Sequence, residues 1–107
     1  MENNIDNFIL AVKEERYIQA HEILEDDWKY YRKKGDKVEE KAIQGLINGA
    51  TALALYFIKK RVHAYEKIWK VFEKYKHNID TANLEHIDKY FEARDLLIEI
   101  NKSITKQ

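Results

Sequence analysis

The chain has 107 residues, with 45% hydrophobic and 36% charged side chains, three glycines and neither proline nor cysteine. That length suits one domain, 1–107 with a core at about 5–102, and the missing prolines and scarce glycines argue against a turn-rich β-sandwich or a disordered linker. Nineteen basic against nineteen acidic side chains remove the overall electrostatic drive toward nucleic acid or an anionic membrane, and without cysteine there is no disulfide framework, thiolate metal site or thiol nucleophile.

The opening MENNIDNF is acidic and polar, where a signal peptide is basic and then apolar, so a cytoplasmic location is expected. Asn3 or Asn4 can cap a first short helix, in which Ile5, Phe8, Ile9 and Val12 repeat at spacings of three and four as far as about Lys13. Lys13 to Arg16 reads as a charged turn. A second helix is predicted from Tyr17 to about Lys33, with Tyr17, Ala20, Leu24, Trp28 and Tyr31 on its inner face. Its last turns carry Lys29, Arg32, Lys33 and Lys34, where positive charge suits the helix dipole. Gly35 follows as the residue just past the helix end, and Asp36 with Glu39 reads as a capping box for the third helix.

From Ala42 to Ile58 the chain carries no charge. A membrane span needs roughly 20 predominantly apolar residues, and this stretch contains Gln44, Asn48, Thr51 and two glycines, so no membrane contact is expected. It reads instead as a central helix buried on nearly every side, with one uncharged polar stripe formed by Gln44, Asn48 and Thr51. Buried amides need partners, so neighbouring helices should offer polar groups to that stripe. Gly45, Gly49 and Ala52 form a strip of small residues where a neighbouring helix should approach closely.

Lys59, Lys60 and Arg61 end the central helix, and a fourth is predicted from Val62, with Val62, Tyr65, Ile68 or Trp69, and Phe72 facing in. His77 to Asn83 is a polar break. The last helix is predicted over 84–102, with Leu84, Ile87, Phe91 and Ile98 inward and a frayed tail after Lys102. Arg16 and Arg61 each precede an Ala-x-Glu at a helix start, a faint likeness of the kind found in stacked helical hairpins. Together these elements predict an all-α, compact bundle of four to five helices, mostly antiparallel and up-down, around a central buried helix at about 42–58.

Chemistry concentrates on the second helix, in His21-Glu22-Ile23-Leu24-Glu25-Asp26-Asp27-Trp28. A spacing of four sets His21 beside Glu25, close enough for a shared metal ion or for a carboxylate to orient the imidazole. Two ligands do not complete a site. A zinc-protease helix needs a second histidine where Glu25 stands, and His63, Glu66 and His86 are only candidate third ligands. No cofactor is expected. The structural reading is preferred: His21 and Glu25 form a hydrogen-bonded network with Gln44, Asn48 and Thr51, Glu22 is solvated, and Trp28 anchors the core.

His21-Glu22-x-x-Glu25-x-x-Trp28 with Tyr17 and Ala20 before it, then Gln44-Gly45-Leu46-Ile47 and the alanines Ala50 and Ala52, resembles the prokaryotic domain-of-unknown-function family 309 over about Phe8 to Lys74. The resemblance implies a small all-α bundle and no assigned reaction. Asn48 stands where the family resemblance leads one to expect a longer or aromatic polar side chain, and Arg61 where the family tends to have glycine, which implies a different turn. Three functions follow as expectations. The first is a non-enzymatic module binding a protein partner or a second copy of itself. The second is a metal-dependent or hydrolase-like site on His21, Glu22 and Glu25, and the third is nucleic-acid binding through the basic 29–41 turn, against which the zero net charge counts.

Overall fold

A computed structural model describes residues 3–105. Its elements are α1 (Asn4–Lys13), α2 (Tyr17–Ile23), α3 (Glu25–Lys34), α4 (Lys37–Phe57), α5 (Val62–Tyr75), a 3₁₀ helix (Lys76–Thr81) and α6 (Ile87–Thr105). The expected compact bundle around a central helix is present: α2, α3, α5 and the 3₁₀ helix pack on α4, α1 packs on α2 and α6, and α6 also contacts α4 and the 3₁₀ helix. Among the described residues no helix is long and apolar enough to cross a membrane.

Helix α1 starts where a cap was expected, with Asn3 Oδ1 accepting from Asp6 N–H at 2.9 Å, and Ile5, Phe8, Ile9 and Val12 are all buried. The predicted helix from Tyr17 to about Lys33 is instead two arms broken at Leu24, whose ψ of −2° interrupts the α-helix. The physical reason is local. Leu24 is fully buried and fixes the bend, while Glu25, Asp26 and Asp27 supply the acidic first turn with which a new helix start is compatible. Counting α2 and α3 as one bent helix, the bundle has five members.

Gly35 ends α3 in the left-handed conformation (φ 82°), and Asp36 N–H reaches back to Tyr31 C=O at 3.1 Å, which closes the turn as expected. The capping box does not form. Asp36 makes no cap hydrogen bond to α4 and pairs with Lys34 at 3.3 Å, while Glu39 Oε2 accepts from the backbone N–H of Asn83 at 2.8 Å. Glu39 therefore ties the start of α4 to the segment before α6.

The strip of small residues does let helices meet. A Cβ on Gly45 would lie 3.2 Å from Tyr75 Cβ, and one on Gly49 would lie 2.8 Å from Leu97 Cδ1 and 3.0 Å from Phe72 Cδ1. On α5, Tyr65, Trp69 and Phe72 are buried, but Val62 is exposed and Ile68 half-buried. Tyr65, Trp69 and Phe72 form a row of rings, with centroid spacings of 6.4 and 4.4 Å, and the Tyr65 hydroxyl hydrogen-bonds Asn101 of α6.

The faint repeat has a structural counterpart. Glu15 and Lys60 both adopt the left-handed conformation (φ 61° and 57°), each directly before the arginine that leads into α2 or α5. Arg61 itself has φ −109°, so the left-handed residue of that turn is Lys60.

Two corrections concern the C-terminal third. The polar break is largely ordered as the 3₁₀ helix, held by the buried Ile79. Arg94 of α6 hydrogen-bonds Asp80 at 3.0 Å. Helix α6 begins at Ile87 and continues to Thr105, and its deepest residues are Tyr90, Ala93, Leu97 and Ile104, whereas Ile87, Phe91 and Ile98 are half-buried. Leu84 is buried, but ahead of the helix. The burial of Ile104 fixes the last turn, and Lys106 and Gln107 lie outside the described residues.

Candidate functional site

The bend at Leu24 sets the geometry of the motif. It directs α3 along α4, so that His21, Glu25 and Trp28 face Gln44, Ile47 and Asn48 across a recess of about 220 Å³. His21 Nε2 lies 3.3 Å from Glu25 Oε1, and both side chains are more than a third exposed, at 37% and 38%. Tyr17 is buried and stacked on Phe57 at 5.8 Å, yet it and Trp28 do not seal His21, because the recess reaches the imidazole. Glu22 is exposed and does not line the recess.

The structure thus gathers five of the six motif residues, but not as the expected network. Among the described residues no hydrogen bond joins His21 or Glu25 to Gln44, Asn48 or Thr51. Gln44 Oε1 accepts from Lys41 Nζ at 3.1 Å, and Thr51 donates to Ile47 C=O at 2.9 Å, both within α4. Helical geometry explains this, since side chains three and four apart are nearest neighbours and satisfy each other without crossing to α3. Trp28 is half-buried rather than a full core anchor, and its indole N–H is enclosed without a hydrogen-bond partner. The Arg32 guanidinium lies 5.1 Å from the Trp28 ring centroid. Among the described residues no three histidine, aspartate or glutamate side chains converge to hold a metal, so His63, Glu66 and His86 do not complete a set with His21 and Glu25.

A second and larger concavity, a groove of about 1020 Å³, opens between the start of α1, α3, the α3–α4 turn and residues 83–86. Tyr30, Tyr31 and Tyr90 contribute rings to it, and Asn4 and Asn83 contribute amides. Asp27 is half-buried there, accepts from Asn4 Nδ2 at 3.3 Å, and has its carboxyl pushed above the usual range by burial. Burial likewise raises the Tyr31 and Tyr90 hydroxyls, with Asp27 adding to the rise at both. The Lys34 ammonium sits 5.1 and 5.7 Å from the centroids of Tyr30 and Tyr31. The sequence gives little sign of this groove, because its walls come from four separate parts of the chain and Tyr90 lies outside the inward face predicted for the last helix.

The fold and the motif recess define a class: a small all-α protein whose distinctive polar residues line the seam between a bent helix and a central one. The chain belongs to the domain of unknown function family DUF309, whose profile matches residues 5–68. That span takes in α1 to α4, the recess, and the first half of α5. No curated protein and no solved structure matches the chain.

Proposed function

We propose that the protein is a non-enzymatic helical module of the cytoplasm that binds a protein partner or a second copy of itself. The observation that carries this reading is the tyrosine-lined groove, far larger than the motif recess and edged by Tyr30, which is 56% exposed. Tyrosine offers a large, stiff, amphipathic contact surface at small conformational cost, and is enriched where proteins recognise one another. A direct test compares the tagged natural protein with Tyr30→Ser, by identifying what each retains from extracts of its own cell and by measuring self-association in sedimentation. Loss of a retained partner, or of self-association, in Tyr30→Ser supports the reading. Identical retained sets and a monomer in both proteins would remove its basis.

One observation favours a second reading, a metal-dependent or hydrolase-like site on His21, Glu22 and Glu25: the recess reaches the His21 imidazole. Against it stands Glu22, which lies outside the recess. Thermal melts with zinc, manganese or chelator decide the metal form, since a ligand that binds only the folded state raises its stability. A shift in the natural protein that vanishes in His21→Ala supports a site, and superimposable melts eliminate it. Nucleic-acid binding through the 29–41 turn has less support, because Lys34 and Lys41 are already engaged by Asp36 and Glu40.

A further inference from the structure

We propose that the recess between α3 and α4 is a binding site for a small neutral carboxamide. The inference goes beyond the groove-based reading and needs no metal ion. At about 220 Å³ the recess falls below the ~300 Å³ at which pockets for drug-sized ligands begin, so it suits a single flat ring or short chain bearing one polar group. Size alone does not choose that group. The lining does, through the hydrogen-bonding capacity that the protein leaves unused.

Trp28 carries an indole N–H that is enclosed and has no acceptor among the described residues, a cost that folded proteins rarely leave standing. Gln44 Oε1 is taken by Lys41 Nζ, which can only donate, so the NH2 end of Gln44 is unused among the described residues. The half-buried Asn48 amide has no partner among them at either end. Ile47 and the Trp28 ring supply apolar wall, while His21 and Glu25 stand at the more exposed rim. Unpartnered donors therefore lie inside and a carboxylate outside. An anion has to pass Glu25, and a cation meets N–H groups that repel it. A carboxamide answers both: its C=O accepts from the indole and from Gln44, and its NH2 donates to Asn48 Oδ1 or to Glu25. Its flat edge, one acceptor beside one donor, is also the complement of the Asn48 amide edge. Because the indole N–H is enclosed, Trp28 has to turn toward the recess it borders to reach that acceptor, so binding is coupled to a movement of its ring.

The test titrates the full chain with benzamide and with two counterparts of the same shape, the anion benzoate and the cation benzamidine. It follows the indole N–H resonances of the two tryptophans, Trp28 and Trp69, told apart with Trp28→Phe. Benzamide is expected to move the Trp28 signal saturably and to leave that of Trp69 in place, with a Kd about tenfold or more below that of either charged counterpart. Asn48→Leu should raise the Kd for benzamide about tenfold. Trp28→Phe, followed through the side-chain NH2 resonances of Gln44 and Asn48, should raise it about fivefold. Should Asn48→Leu misfold, Gln44→Met must weaken benzamide binding about threefold in its place. The proposal is overturned if benzamide does not saturate the Trp28 signal, which would leave the recess to water alone. It is overturned equally if benzoate or benzamidine binds as tightly as benzamide, or if the folded variants bind benzamide as the natural protein does.

Discussion

The two long sides of α4 are packed by opposite rules. Toward α5 and α6, Gly45 and Gly49 have no side chains, so Tyr75, Phe72 and Leu97 press against the α4 backbone, and Phe72 and Leu97 are fully buried. Toward α3, α4 presents Gln44 and Asn48, and α3 itself has no buried residue. One side is a dry, close contact. The other is held apart by polar side chains that leave a recess and an unpaired indole N–H. Close packing leaves little room for a ligand, whereas the loosely packed seam and the groove beyond it are open concavities.

The sharpest way to break the comparison is to overfill the close side. In Gly49→Leu, even the first side-chain carbon would lie 2.8 Å from Leu97 Cδ1 and 3.0 Å from Phe72 Cδ1, and overpacking of this kind costs about 1–3 kcal/mol or more. The urea midpoint should fall with little change in slope. An unchanged midpoint would mean that α4 and α6 are not in close contact at Gly49.

On the loose side, Trp28→Phe should change stability by less than about 1 kcal/mol. The smaller ring loses contact area, but removing a buried donor without a partner relieves a cost of about 1–3 kcal/mol. A loss above about 3 kcal/mol, the range for truncating a large core side chain, would show that Trp28 belongs to the core after all.

The same contrast explains how much the sequence reveals. Spacing of apolar residues located α1, α4 and α5 within a few positions, because a buried helical face repeats every three or four residues. The glycine strip was legible for a related reason: missing side chains on a buried helix leave room only for a neighbour. The bend at Leu24 was not legible from apolar spacing, since Tyr17, Ala20, Leu24, Trp28 and Tyr31 keep helical register across it, and the signal that marks it is the acidic run from Glu25 to Asp27. Helical phase predicts that His21, Glu25, Gln44 and Asn48 lie near one another, but not which of them hydrogen-bond, because that choice depends on ångström-scale distances. The groove needed Asp27 and Tyr90 in one place, and no local pattern encodes a meeting of residues so far apart in the chain.

The smallest expected effect tests that last distinction. Gln44 and Glu25 both line the recess, yet Gln44 accepts from Lys41 on its own helix, and Glu25 pairs with His21 on the other side. A double-mutant cycle of Gln44→Leu and Glu25→Gln should therefore be nearly additive, with a coupling below about 0.5 kcal/mol. A matching cycle of Gln44→Leu with Lys41→Met should give about 0.2–0.5 kcal/mol, as for neighbouring side chains on one helix. If the first coupling instead exceeds about 1 kcal/mol, the side chains bond across the recess in solution, as members of a shared polar network do. The loose seam would then be a closed structural joint, and His21 would lose the access on which any ligand site there depends.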